Sequence, residues 1–406
     1  MIPDFIRNAG TELPFILLLI ALLGFRSRVT PRASLWIKAA PEKVFALVDF
    51  TEGENQRWQR TKVTSTLVDA ATHTYRLNFV TPLATGAVQS SEALFRVVTR
   101  DTPRLLEIDR AGIEGQSTNN QLLKMTAALS PENGGTRLKL TYHWGPRPLL
   151  AQVMARADLW GSVYRLKGEA ETGVPDYRTD GLISALVALV TGVVSLYTFV
   201  IAFGWVIAPL LVVALLIHEY GHLLAYRMIG QPWGRLVFLP FLGAIALPRM
   251  GFTSQGQIVF SAMMGPAFSV IVPLGAAVWV WAGGPWPDIA VMLGIVASGL
   301  NLFNLLPVEP LDGGIVLRSV LAKIMGSWAR FGLIGFGAAI IAAGFAIEQV
   351  LLVIFGGLAL ILNLRRRTID HGLEPMSRLS VSISAFSYMS VVAAYAVLLR
   401  HFMTYT

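Results

Sequence analysis

The chain of 406 residues contains no cysteine. That excludes a disulfide framework, a thiolate metal site and a cysteine nucleophile, so any metal centre must be built from His, Asp or Glu. Histidine is itself scarce, with six in the whole chain. Charge is scarce too: Asp, Glu, Lys and Arg make up 14% of the residues, against 54% that are hydrophobic. Soluble domains carry about 25% charged residues, so most of this chain reads as a polytopic membrane protein with one soluble portion. The formal charge of +8 does not point to nucleic acid. Much of the basic excess flanks apolar runs, where it meets anionic lipid headgroups and orients the chain.

Apolar runs divide the sequence. The first, LPFILLLIALLGF (13–25), is followed by Arg26, Arg28 and Arg32. The basic residues come after the run and no A-x-A-like site follows, so residues 1–28 read as a retained transmembrane anchor and not as a cleaved signal. Residues 29–175 change character: polar and apolar residues alternate and turn residues punctuate them. The pattern predicts strands at 32–38, 62–69, 73–80, 86–99, 104–110, 120–129 and 136–144. It also predicts a helix at 41–49 and a long closing helix at 147–170. PENGG (131–135) should turn a hairpin between the last two strands. Seven strands with helices near the start and at the end imply an antiparallel sheet curled around the last helix.

From 181 onward the chain reads as membrane. Spans are expected near 182–203, 205–229, 257–282, 288–307, 331–347, 349–364 and 380–399, about eight with the anchor. Arg227, Arg235, Arg249, Arg318, Lys323, Arg330, Arg365, Arg366, Arg367 and Arg378 all fall on the side shared with the soluble domain. The loops near 204, 283–287 and 348 carry no basic residue. This asymmetry predicts a cytoplasmic soluble domain and outward-facing termini, in a multi-pass protein of a bacterial inner membrane.

One stretch of the membrane part carries chemistry. HEYGH (218–222) interrupts an apolar run, and its two histidines stand four apart. On a helix they share one face and can grip one Zn²⁺, while Glu219 can serve as general base toward an activated water. The plainer alternative is a histidine pair hydrogen-bonded inside a helix bundle. Ionisable groups are costly in lipid, so their coincidence there favours function. Two histidines do not complete a catalytic zinc site, which needs a third protein ligand. NLLPVEPLDGG (304–314) offers Asp312, with Glu309 as rival. Gly313 and Gly314 allow close approach, and Pro307 and Pro310 break the helix. Asp312 could instead merely cap the helix that follows.

Together these residues resemble the site-2 protease family of intramembrane zinc metalloproteases, over roughly residues 182–330. HEYGH matches that family's HExxH, and Asn304, Pro307, Asp312 and Gly313 match its N-x-x-P…D-G motif. LVFLPFLGAIAL (236–247) is similar to its membrane-embedded hairpin, and Gly265-Pro266 to its Gly-Pro motif. The asparagine that often follows Gly-Pro is absent here, where Phe268 and Ser269 stand. The resemblance implies that His218, His222 and Asp312 hold Zn²⁺ and that Glu219 is the general base. It further implies that Asn304 hydrogen-bonds substrate or oxyanion, and that Phe241, Leu242, Gly243 and Ala244 line a substrate edge. The expected core is 181–330, followed by further transmembrane segments at 331–406. Expected partners are a transmembrane protein or peptide substrate and membrane lipid.

The soluble part resembles the START-like (SRPBCC, polyketide cyclase-like) helix-grip family. APEKVF (40–45), Trp58 and GGTRLKLTYHW (134–144) before the final helix carry that likeness. Members usually enclose an apolar cavity, so an apolar ligand is expected, with Phe79, Phe95, Leu123, Met125, Met154, Trp160 and Tyr164 as lining or simply as core. Two other functions stay open at this point. Intramembrane His, Glu and Asp also build proton or metal-ion paths in transporters, although no duplicated pair of broken helices is evident. A degenerate protease acting as a lipid or ligand sensor is the other.

Overall fold

In the computed structural model, residues 25–49, 53–58, 61–82, 88–111, 122–240, 243–249, 251–309, 311–346 and 373–405 are described, with isolated positions between 348 and 360. Residues 1–24 of the anchor expected at 1–28 and most of the span expected at 349–364 lie outside them. The chain forms two compact units, the first ending at Leu186 and the second running from Val187 to Thr406.

Alternation of buried and exposed residues makes the first unit a sheet. Its strands are β1 (Arg26–Val29), β2 (Arg32–Ile37), β3 (Gly53–Trp58), β4 (Thr61–Asp69), β5 (Thr74–Pro82), β6 (Val88–Asp101), β7 (Leu105–Arg110), β8 (Leu122–Glu132) and β9 (Gly135–Pro148). Helices α1 (Pro41–Val48) and α2 (Leu149–Thr172) complete it. All pairings are antiparallel, in the order β1-β9-β8-β7-β6-β5-β4-β3, with β2 also on β9. The expected hairpin between β8 and β9 pairs Glu132 with Gly135. Asn133 (φ 49°) and Gly134 (φ 73°) supply the two positive-φ positions that a tight two-residue turn demands. Arg137 closes the hairpin with paired hydrogen bonds to Glu132, 2.8 and 2.7 Å, which hold the Glu132 carboxyl below its usual range.

On the inner face, Ile37, Leu106, Ala127, Leu138 and Leu140 are buried against Val44, Phe45 and Val48 of α1 and Leu159, Val163, Leu166 and Ala170 of α2. Phe95 and Met125 belong to this core and Phe79 packs on it. Trp160, expected among the cavity-lining residues, is instead 38% exposed. It faces away because the α2 stripe at 159, 163, 166 and 170 already occupies the sheet. A buried ion pair between Arg165 and Asp180 ties α2 to the start of the next helix.

The second unit is helical. Its elements are α3 (Arg178–Met228) from Val187 on, the hairpin β10 (Arg235–Leu239) and β11 (Gly243–Leu247), α4 (Gln255–Ser269), α5 (Ile271–Trp281), α6 (Pro287–Asn304), α7 (Asp312–Met325), α8 (Ala329–Ala346) and α9 (Arg378–Phe402). Among the described residues four helical stretches are long and apolar enough to cross a membrane: Arg178–Met228, Gln255–Trp281, Pro287–Asn304 and Arg378–Phe402. The expected count of eight is not reached among these residues. Part of the difference lies in α3, whose 51 residues would extend to about 77 Å at ~1.5 Å per residue, more than twice the ~30 Å of a bilayer core. Its backbone breaks at Gly204 (φ 81°, ψ 172°), a conformation open essentially to glycine alone. The break falls between the two runs expected at 182–203 and 205–229. The run expected at 331–347 forms a shorter apolar helix, Phe331–Ala346.

Three buried clusters hold these helices together. Val259, Ala262 and Met263 meet Val316, Val320 and Val381. Ala276 and Val291 meet Leu398 and Phe402. Ala214 of α3 packs between Val272 and Ala297. These contacts bring α3, α4, α6 and the start of α7 around one point.

Candidate metal centre

That point is occupied by the two histidines of α3 and the first residue of α7. His218 Nε2 lies 3.1 Å from Asp312 Oδ2, His222 Nε2 lies 3.4 Å from the same oxygen, and the two Nε2 atoms are 3.1 Å apart. His218 and His222 are buried, and the Asp312 side chain is 13% exposed. The helix N-cap is Leu311, and no side-chain cap bond is made. Asp312 is therefore spent on the histidines and not on capping. Glu309, the rival ligand, is paired with Arg318 at 2.8 Å. Its carboxylate is engaged away from the histidine pair.

The far nitrogens of the two rings fix their tautomers. His218 Nδ1–H donates to Asn301 Oδ1 at 2.8 Å. The Asn301 amide is oriented by its own Nδ2, which donates to Ala297 O at 2.8 Å. His222 Nδ1–H donates to Ser261 O at 2.7 Å. Both neutral imidazoles thus carry their proton on Nδ1, and both Nε2 lone pairs point at each other and at a carboxylate oxygen. Three acceptors converge with no proton to share, an arrangement that a cation relieves. Tetrahedral zinc ligands at about 2.0–2.1 Å stand about 3.3–3.4 Å from one another; the separations of 3.1, 3.1 and 3.4 Å are close to that. The donor set of two imidazoles and one carboxylate fits zinc with an open fourth position.

Close approach of helices makes this geometry possible. A Cβ on Gly265 would collide with the His222 imidazole, and one on Gly221 would collide with Met264 O. The Gly in HEYGH and the Gly of Gly265-Pro266 are thus two sides of one contact between α3 and α4. Gly313 and Gly314 seat α7 against the backbone of Leu305 and Val308 in the same way.

Glu219 is 4% exposed, and its Oε2 is buried without a hydrogen-bond partner. A carboxylate oxygen left unpaired beside the cluster is costly unless a ligand or solvent molecule meets it. Its carboxyl also takes a backbone hydrogen bond from Ala246 of β11. The hairpin is fixed at two places: Tyr226 OH donates to Ala246 O at 3.1 Å, and Phe238 N–H donates to Thr191 Oγ1 at 3.1 Å. Gly243 and Ala244 open β11, paired with Leu239 and Phe238. Phe241 and Leu242 lie outside the described residues. Asn304 is the last residue of α6 and is half-buried. The asparagine that reaches His218 is Asn301, one turn earlier, which sequence reasoning passed over. Its signal was available: a second amide in NLFN, on an otherwise apolar helix.

Comparison with known proteins also leads to zinc, by the names of the relatives. The chain is 35% identical over 150 residues to a protein of Synechocystis sp. named "putative zinc metalloprotease", covering 35% of this chain and 39% of that one. It is 33% identical over 132 residues to "putative zinc metalloprotease Rip3" of Mycobacterium tuberculosis, covering 31% and 33%. By name, its curated relatives are zinc metalloproteases. The matched stretches span little more than a third of those relatives' length. No protein-family profile matches the chain. Among solved structures, the site-2 protease from Methanocaldococcus jannaschii aligns at 20% identity over 45% of this chain and 89% of its own, with a TM-score of 0.31. The Aha1 dimer from Colwellia psychrerythraea aligns at 16% identity over 36% and 98%, with a TM-score of 0.27. Both scores are low.

Proposed function

We propose that this chain is an intramembrane zinc metalloprotease that hydrolyses peptide bonds in or near transmembrane segments of membrane protein substrates. The observation that carries the reading is the convergence of His218, His222 and Asp312, with both Nδ1 atoms tied off, beside the buried Glu219 carboxylate whose Oε2 has no partner. Zn²⁺ bound by those three residues would polarise a scissile carbonyl and acidify water. Glu219 accepts the proton of the attacking water and returns it to the leaving amine. Asn304, at the end of α6, is the proposed donor to the substrate or oxyanion. A helix in lipid has its carbonyls occupied, so the substrate must unwind locally, and the hairpin at 236–247 offers strand edges to which an unwound segment can add.

The proposed domain order is a transmembrane anchor expected at 1–28 but ending before Arg26, which opens β1, then a START-like domain expected at 29–175, the catalytic core at 181–330 and further segments at 331–406. Basic residues on one side of the spans support a cytoplasmic soluble domain and an inner-membrane location. That domain is the proposed regulator, with an apolar molecule as its ligand. The test is cleavage of a transmembrane reporter by the purified, lipid-reconstituted protein. Glu219→Gln keeps the shape of the side chain but not its basicity. It is expected to lower cleavage by at least two to four decades, the usual contribution of general acid–base catalysis, with zinc content unchanged. Cleavage within a few fold of the unmodified protein removes Glu219 from the mechanism.

A further inference from the structure

Asn301 is a branch point. With Nδ2 committed to Ala297 O, its Oδ1 faces two donors, His218 Nδ1 at 2.8 Å and Ser269 Oγ at 2.7 Å. Ser269 has one proton and rival places to put it. A helical serine commonly bonds back to the carbonyl four residues earlier, here Gly265 O at 2.9 Å, and Pro266 O lies at 3.3 Å. The contact that favours Asn301 comes from α9. Tyr395 OH stands 2.9 Å from Ser269 Oγ and 2.7 Å from Pro266 O. Its single proton can be shared between those two oxygens. As donor to Ser269 it occupies one of the two serine lone pairs, and lying over Pro266 O it shields a competing acceptor from the serine proton. The Ser269 proton is then directed to Asn301. Tyr395, Asn301, Ser269 and His218 are 0, 0, 1 and 2% exposed, so solvent does not stand in for a lost hydroxyl.

We propose that Tyr395 is a positioning residue for the metal centre. Acting through Ser269 and Asn301, it holds the His218 imidazole with its proton on Nδ1 and its Nε2 aimed at His222 and Asp312. The chain of donors polarises in one direction, which strengthens each link. Outer partners of this kind set ligand orientation and basicity. The inference rests on the zinc reading above, and it gives α9, more than 150 residues after HEYGH in sequence, a share in the site.

The test is zinc affinity of the full-length protein in detergent, measured by competition with a chromophoric chelator. Tyr395→Phe and Ser269→Ala are each expected to weaken zinc roughly tenfold, the low end of the range for outer-shell partners. Asn301→Ala is expected to weaken it nearer one hundredfold. The double variant Tyr395→Phe/Ser269→Ala should bind no more weakly than Ser269→Ala alone, because both changes break one link. Tyr388→Phe removes a hydroxyl from the same helix that donates to Leu305 O at 2.5 Å, and its effect should multiply with that of Ser269→Ala. A Tyr395→Phe or Ser269→Ala protein within twofold of the unmodified affinity overturns the relay, as does a multiplicative double variant. Those results leave the zinc centre standing if His218→Ala still abolishes binding. Undiminished binding in His218→Ala overturns both.

Discussion

The tightest constraint on the metal centre is steric, and it can be probed with a single methyl group. Gly265→Ala places a Cβ where the His222 ring now lies, with Nε2, Cε1 and Cδ2 all inside van der Waals distance. The ring cannot simply swing aside: its Nδ1 is held by Ser261 O at 2.7 Å and its Nε2 faces His218 and Asp312. Either α4 retreats from α3 or the imidazole leaves its ligand position. Overpacking of this kind costs about 1–3 kcal/mol, and losing outer-shell geometry costs about 10–100-fold in metal affinity, equivalent to about 1.4–2.7 kcal/mol. Gly275 and Gly299 serve as internal controls, since a Cβ on either meets nothing within 4 Å. Chelator competition on the purified proteins should show Gly265→Ala weaker by one to two decades and Gly275→Ala and Gly299→Ala unchanged. If Gly265→Ala binds zinc within twofold of those controls, the helix contact does not constrain the ligand and the reasoning fails.

Asp312→Ala should abolish stoichiometric zinc, whereas Glu309→Ala should leave zinc bound and lower stability by about 1–3 kcal/mol, since it removes the carboxylate that Arg318 meets at 2.8 Å. Metal analysis beside thermal melts separates the two, and retained zinc in Asp312→Ala would assign the third ligand elsewhere. Because the chain has no cysteine, Ala71→Cys in the exposed β4–β5 turn gives a single labelling site. It should resist a membrane-impermeant maleimide in intact cells and react after lysis; labelling in intact cells would reverse the proposed topology.

Much of this was legible in the sequence because the costly residues stood out. His218, Glu219, His222 and Asp312 are rare residues in apolar surroundings, and helical spacing says which of them share a face. Strand alternation located β2 and β4 to β9 to within a few residues. It missed β1 and β3, which lie at the edges of the sheet. β1 is four residues with two arginines and β3 (GENQRW) has one apolar residue, so neither shows a period. Asn301, Ser269 and Tyr395 were invisible for another reason. Each is an ordinary buried polar residue on its own helix, and only the packing of α4, α6 and α9 makes them neighbours. The break at Gly204 shows in the sequence as one glycine among many, and its meaning comes from the length of the helix around it.

The two fixings of the hairpin have a consequence for selectivity. Tyr226, two turns after His218 on the same helix, holds Ala246 of β11, and Ala246 in turn meets Glu219. The hairpin and the proposed general base are therefore linked through one residue, Ala246. With the Ala246 N–H and C=O taken by Glu219 and Tyr226, a chain that pairs with the rest of the hairpin would be measured by register, in steps of about 3.4 Å, and the bond presented to Glu219 would be set by where pairing begins. Such a hairpin behaves as a ruler. It would discriminate among substrates by how readily a segment gives up its helix and by how far that segment sits from the membrane boundary, and only weakly by the side chains flanking the cut.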